Sequence, residues 1–333
     1  MDRLDLKIFL AMGTRYYTFQ GGVDRQLNLS FIAKQLDVDP DTVRARIKKL
    51  EESGFIKYYQ IFPNYRLFGL SCLAAGLIFP DPASKKEALQ KLKLINEVAW
   101  IDERLNSLRV LLLYQEVEPD LERKLALVEE LTGVKPIRQN YMETLPVSME
   151  LTLIDWLIIR SIRYDARKPT EQVAKELGLT ARALNYRLQR LTRGNAYFIV
   201  PVISLENLKN ATCTHFTIFL DENQRAEAID EITRLFGERD MSRHVSSKGS
   251  VTFCVLTTTI TESDEDYLKA KAIPGVEKVI MDFTLRCHDT SGYIDKLIDE
   301  KIMGLEKAAK PKPTFTADSR AAKLVKQQPA TRT

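Results

Sequence analysis

The chain has 333 residues, of which 44% are hydrophobic and 28% charged, a balance that excludes a wholly disordered or membrane-embedded protein. At this length a single core is too few, and two or more domains are expected. The net charge of +4 permits an anionic partner without requiring one, so local charge distribution has to decide.

No long apolar stretch follows the opening Met1-Asp2-Arg3-Leu4-Asp5, and nothing approaches the roughly 18 uninterrupted apolar residues of a membrane span, so a cytoplasmic chain without a membrane partner is expected. Cys72, Cys213, Cys254 and Cys287 stand singly with no CxxC pair. That spacing indicates neither a zinc site nor a disulfide framework. Buried reduced thiols are expected, with no metal and no cofactor.

In chain order, an apolar helix is predicted from about Leu4 to Tyr17, followed by a loop through Tyr16, Gly21, Gly22 and Asp24 and a short helix from Ser30 to Leu36. After a break at Asp37-Val38-Asp39, Asp39 is the expected N-cap and Pro40 the first turn of a third helix. That helix buries Val43, Ile47 and Leu50 and stops at Gly54. Three short helices with a tight break make a helix-turn-helix, and β-prone Phe55 to Ile61 is read as a wing hairpin. Then come a strand at Cys72–Phe79, a helix at Lys85–Ile95, strands at Trp100–Leu105 and Arg109–Tyr114, a helix at Asp120–Leu131 and a strand at Ile137–Leu145. This is the βαββαβ, ferredoxin-like order.

The pattern then repeats. Ile32-Ala33-Lys34-Gln35-Leu36 returns as Val173-Ala174-Lys175-Glu176-Leu177, and the same offset brings Arg46 onto Arg187, Leu50 onto Leu191 and Cys72 onto Cys213. Helices are predicted at Leu151–Tyr164, Thr170–Leu177 and Ala181–Arg193, and a strand at Tyr197–Ile203. A second α+β unit follows, with strands at Thr214–Leu220, Ser242–Ser246, Ser250–Thr259 and Val276–Cys287, and helices at Gln224–Phe236 and Asp264–Ala272. Ile294–Ile302 forms a terminal helix. The fold class is therefore α+β, two tandem units each a winged helix-turn-helix followed by a ferredoxin-like domain. The expected divisions are 1–66 and 149–207 for the winged helices, 67–148 and 208–304 for the ferredoxin-like domains, and 305–333 for a disordered basic tail.

An α-helix fits the major groove, where cationic side chains meet phosphates and Arg, Asn or Gln reads base edges. The first third helix offers Thr42, Arg44, Arg46, Lys48 and Lys49; the second offers Arg182, Asn185, Arg187, Gln189, Arg190 and Arg193, with Tyr186 beside them. No Asp or Glu interrupts the second run from Leu177 to Leu205. Arg46 and Arg187 each precede a buried position, so an intramolecular salt bridge is the alternative for those two.

Both halves resemble the Lrp/AsnC family of feast/famine transcription regulators. The first copy carries the pattern as Leu4-Asp5-Leu6-Lys7-Ile8, Ile32-Ala33-Lys34-Gln35-Leu36, and Thr42-Val43-Arg44-Ala45-Arg46-Ile47-Lys48-Lys49-Leu50-Glu51-Glu52-Ser53-Gly54-Phe55-Ile56. The second keeps Asp155, Ala174, Leu177, Arg187, Leu188 and Leu191 but ends in Thr192-Arg193-Gly194-Asn195-Ala196. The resemblance implies sequence-specific binding of double-stranded DNA by the third helices. It also implies dimerisation through the ferredoxin-like domains, here as a homodimer or as a pseudo-dimer within one chain. The family's effector loop of Gly-x-x-Asp type reads Leu105-Asn106-Ser107-Leu108-Arg109 and Ser247-Lys248-Gly249-Ser250-Val251, so no effector residue is assigned.

Two rival readings stay open. Fused units of this kind also occur among sirohaem decarboxylases, whose chemistry calls for histidine and arginine together in a pocket. Only His215, His244 and His288 are available; His215 and His288 read as core or edge residues, and His244 stands beside Arg243. The other rival is a protein-interaction scaffold whose winged helices no longer bind DNA.

Overall fold

The computed structural model describes residues 1–12, 27–117, 119–141, 145–245 and 249–309. The predicted loop through Tyr16, Gly21, Gly22 and Asp24, and the predicted end of the first helix at Tyr17, lie outside the described residues.

Each unit opens with three helices: α1 (Arg3–Ala11), α2 (Leu29–Leu36) and α3 (Pro40–Glu52) in the first. After the first α+β domain come α6 (Leu153–Ser161), α7 (Thr170–Glu176) and α8 (Ala181–Arg193) in the second. α3 starts as its sequence dictates, with the Asp39 side chain accepting from the Asp41 N–H and Pro40 in the first turn. Left-handed residues mark the duplication. Asp37 and Gly178, Gly54 and Asn195, and Gly69 and Asn210 all have positive φ, and each pair is separated by the offset that relates the two copies. Asn195 thus stands where the first copy has glycine, because asparagine tolerates this conformation better than other side chains do. The departure from the Gly54 pattern leaves the turn intact.

The predicted wing hairpins are corrected by the structure. Strand β1 (Ile56–Pro63) finds its partner in the other copy, pairing antiparallel with β6 (Tyr197–Ile203). Phe62 opposes Phe198 across this seam with stacked rings 5.8 Å apart. The other edge of β1 is held by the second helix-turn-helix, with Ile61 N–H donating to the Arg163 carbonyl and Ala166 N–H to that of Tyr59. A period-two run can be read as strand from sequence, but its partner is a non-local choice.

The two α+β halves merge into one sheet. The first supplies β2 (Leu70–Ile78), α4 (Pro82–Leu92), β3 (Val98–Arg104), β4 (Ser107–Gln115), α5 (Asp120–Thr132) and β5 (Ile137–Tyr141). The second supplies β7 (Thr212–Leu220), α9 (Arg225–Phe236), β8 (Asp240–Val245), β9 (Ser250–Thr257), α10 (Ile260–Lys271) and β10 (Val276–Asp289). Among the described residues the order is β5-β2-β4-β3-β10-β7-β9-β8, two ferredoxin-like sheets joined where β3 pairs antiparallel with β10. The predicted βαββαβ order therefore holds in both halves.

Strand alternation sorts the core into three. Leu73, Ala75 and Leu77 of β2 pack under α4 and α5, and Phe216, Ile218 and Leu220 of β7 under α9 and α10. The opposite face, with Cys72, Ala74, Cys213 and Cys254, joins a central core shared with both helix-turn-helix bodies. The terminal helix α11 (Gly292–Ala309) adds Ile294, Ile298 and Ile302 to it. α11 runs through residues 305–309, so the tail expected from 305 starts no earlier than 310, outside the described residues. Buried Arg163, two residues past the end of α6, ties that segment to the start of α11, with Nε 3.1 Å from Asp295 Oδ1 and Nη2 2.8 Å from the Oγ of Ser291 just before the helix. No described helix is long and apolar enough to cross a membrane.

Candidate nucleic-acid interface

α3 and α8 bury equivalent apolar edges, Val43, Ile47 and Leu50 in one and Leu184, Leu188 and Leu191 in the other. Each is then pinned to the first helix of its own body by the same device. Asp5 and Asp155 occupy the third position of α1 and α6, closing capping boxes with Asp2 and Thr152, and both are fully buried. Arg46 Nη1 lies 2.9 Å from Asp5 Oδ1 and Lys49 Nζ 3.0 Å from Asp5 Oδ2. In the second copy Arg187 Nη1 lies 2.9 Å from Asp155 Oδ1, and Arg190 pairs with the other oxygen.

Burial pushes both carboxyls up, but hydrogen bonds outweigh it and hold both below the ordinary aspartate value. For Asp5 these come from the Asp2 backbone, Lys49 and Arg46. For Asp155 they come from Thr152 and Arg187, with the Arg190 charge adding to them. The hydrogen bonds to Asp2 and Asp5 hold the Arg46 guanidinium above its usual range. The salt-bridge alternative raised for Arg46 and Arg187 is thus the observed arrangement in both bodies. The capping-box aspartate and the basic residues spaced by three were all legible in the sequence; their meeting across two helices was not.

What remains exposed differs between the copies. On α8 the outward stripe runs Arg182, Asn185, Tyr186, Gln189 and Arg193, at spacings of three, one, three and four. It contains two arginines and no carboxylate, and neither arginine has an ion-pair partner among the described residues. The Thr180 hydroxyl caps the helix by accepting from the Ala183 N–H. A cleft of about 270 Å³ opens beside the end of the stripe, walled by Met149, Tyr186, Gln189 and Arg193.

The equivalent stripe on α3 is Asp41, Arg44, Ala45, Lys48 and Glu52. Here each cation has an acid on its own helix: Arg44 pairs with Asp41, and Lys48 Nζ lies 3.6 Å from Glu52 Oε1. Thr42 is half-buried at the flank. Of the predicted contacts, Arg44, Lys48, Arg182, Asn185, Gln189 and Arg193 therefore face outward. Arg46, Lys49, Arg187 and Arg190 are engaged with the buried aspartates, although Lys49 keeps half its surface in solvent.

The histidines are placed apart from these helices. His288 Nε2 is 3.0 Å from Glu103 Oε2 at the β3–β10 seam, and His215 is buried on the inner face of β7. The side chain of His244 lies outside the described residues. His215 lines a cavity of about 20 Å³ with Trp100, Asp102, Cys213, Cys254 and Cys287. Three of the four cysteines thus converge, although no spacing in the sequence signals it.

The sequence profile of the AsnC-type helix-turn-helix domain matches residues 151–192, and that of a winged helix-turn-helix DNA-binding domain matches residues 26–57. An HTH-type transcriptional regulator of Pyrococcus furiosus is 30% identical over 116 residues, which are 34% of this chain and 77% of that protein. The HTH-type transcriptional regulator Ptr1 of Methanocaldococcus jannaschii is 29% identical over 99 residues, 29% of this chain and 60% of that one, so the chain spans less than two thirds of that relative. Among solved structures, the sirohaem decarboxylase NirDL superposes with a TM-score of 0.52 at 16% identity, covering 91% of this chain and 99% of its own, and so shares the tandem fold. With two helix-turn-helix profiles matched and a regulator of the same type aligned over most of its length, the chain belongs to the Lrp/AsnC family.

Proposed function

We propose that this chain is a DNA-binding transcription regulator whose second helix-turn-helix supplies most of the affinity. The observation that carries this reading is the contrast between the exposed stripes. That of α8 has two arginines outside any ion pair and no acid, while that of α3 matches each cation with a carboxylate. In a major groove, Arg182 and Arg193 would neutralise phosphates at either end of α8. Asn185 and Gln189, between them, have the paired donor and acceptor that recognise adenine. Arg46, Lys49, Arg187 and Arg190 act by positioning the helices, while Arg44, Lys48 and Thr42 give the first body a weaker contact.

The β3–β10 and β1–β6 seams support a pseudo-dimer within one chain, presenting two unequal heads to an asymmetric site with half-sites one or more helical turns apart. The domain divisions set out from the sequence serve this reading with the end of the last domain moved to 309. The setting is cytoplasmic, and no enzymatic activity is part of it. The cavity that His215 lines has a volume of about 20 Å³, far below the roughly 300–1,000 Å³ of small-molecule sites.

The test is binding of the purified chain to mixed genomic duplex fragments across a salt series, with the retained fragments sequenced. A shared motif and a steep loss of affinity with salt are expected. Arg182→Ala with Arg193→Ala should flatten the log–log salt slope by about 1.8, at roughly 0.9 for each phosphate no longer neutralised. Absence of binding at low salt would overturn the proposal.

A further inference from the structure

We propose that Cys213, His215 and Cys254 form a buried site for one thiophilic divalent metal ion of the zinc class. The three donor atoms lie within 4.8 Å of one another on the inner face of the sheet. Cys213 Sγ is 3.3 Å from Cys254 Sγ and 3.9 Å from His215 Nε2. For a tetrahedral ion with bonds of about 2.3 Å to sulfur and 2.0 Å to nitrogen, the ligand atoms stand roughly 3.5–3.8 Å apart, so small side-chain rotations bring the set to coordinating geometry. The adjoining cavity, about 20 Å³, has room for one ion-sized occupant.

Register favours an ion over a disulfide. His215 directly opposes Cys254 across the β7–β9 ladder, whereas Cys213 opposes Leu256, which leaves the two cysteines on a diagonal. Diagonal neighbours in an antiparallel pair are about 7–8 Å apart, beyond the usual reach of a disulfide. An ion held by two sulfurs and a ring nitrogen spans that diagonal. Charge is also matched. The nearby buried Asp102, Asp282, Arg104 and Arg109 sum to zero, so a divalent ion with two thiolates and a neutral imidazole adds no net charge to the interior.

The duplication supplies an internal control. The first half keeps a cysteine at the position of Cys213, namely Cys72, which opposes Leu113; Ala74 opposes Leu111 where His215 opposes Cys254. The fold is therefore satisfied by alanine and leucine at these places. Burial of a histidine and a second thiol on this face is a property of one copy and calls for a separate reason. The spacing-based expectation of no zinc site does not reach donors that come from two paired strands.

The experiment uses the full chain, reduced, freed of metal and titrated with Co²⁺ and with Zn²⁺. One equivalent is expected, with a sulfur-to-cobalt charge-transfer band in the near ultraviolet. Zinc K-edge absorption of the wild-type protein should give two sulfurs at about 2.3 Å and a nitrogen near 2.0 Å, a readout that needs no variant to fold. Cys254→Ser should weaken binding by 10-fold or more, and Cys72→Ser should leave it unchanged. An oxygen-only shell, no uptake, or equal losses in the two variants would overturn the assignment. None of these outcomes depends on whether the chain binds DNA.

Discussion

Replacing Arg187 and Arg190 together by alanine would leave the Asp155 carboxylate buried without a counter-charge. Asp155 has no exposed surface, and its arginine partners are 30% and 38% exposed. Removing one side of a fully buried pair costs about 3–5 kcal/mol; because water reaches these guanidinium groups and Thr152 still caps the carboxylate, about 2–3 kcal/mol is expected. With a denaturant slope near 1 kcal/mol/M for a body of this size, the urea midpoint of the second helix-turn-helix should fall by about 2–3 M. Buried Trp156 of α6, adjacent to Asp155 and 5.4 Å from the Phe68 ring, reports it by fluorescence when Trp100, the only other tryptophan, is changed to Phe. The folded Asp155 carboxyl titrates below its unfolded value, so the clamp contributes fully above about pH 4. Its contribution is lost as pH falls through the folded value, and the curves for the parent and the double variant should converge there. A midpoint within about 0.5 M of the parent at pH 7 would refute the clamp and return both arginines to the DNA-contacting set.

Asp41→Asn with Glu52→Gln removes both acids from the α3 stripe, and the salt slope of DNA binding should steepen by up to about 1.8, measured by fluorescence anisotropy on a fixed duplex. An unchanged slope would refute the idea that these two acids are what weakens the first body's contact with DNA. Gly54→Ala places a Cβ 2.8 Å from Asn207 Nδ2 at φ +72°, so a loss of about 1–2 kcal/mol is expected in the same urea assay. Arg163→Ala strips Asp295, Ser291 and the Ile61 carbonyl of a shared donor at once. It should cost at least about 3 kcal/mol and speed amide exchange at the β1–β6 seam, and exchange unchanged at Ile61 would count against this.

Helix limits and the duplicated order were legible because they depend on local chemistry. Asp39-Pro40 sets the start of α3, and Asp37 and Gly54 take the left-handed residues that end α2 and α3. Pairings were not legible. Nothing in Phe55 to Ile61 says that its partner lies about 140 residues away, because two similar β-prone runs can form a hairpin each or pair with one another. The same limit hid the thiol cluster, whose members are separate on the chain and adjacent only through the β7–β9 register. For the third helices, the cationic residues were legible, but the division between clamping and exposed arginines required both helices of each body to be placed.

Both contrasts between the copies follow from joining two units in one chain. In a homodimer every substitution appears twice, so a change that suits one head is imposed on the other. Here Asp41 and Glu52 neutralise one stripe while Arg182 and Arg193 keep the other cationic, and Ala74 and Leu111 fill one half where His215 and Cys254 stand in the other. What stays common is what joins and braces the halves: the buried aspartate clamp in each body, the left-handed turns and the antiparallel β1–β6 seam. These are the interactions whose loss would cost about 1–3 kcal/mol or more each, whereas exposed stripe positions are nearly neutral for stability and free to diverge. Unequal heads on an equal frame are therefore the expected physical outcome of this architecture, and the proposal that DNA recognition is concentrated on the exposed face of α8 follows from it.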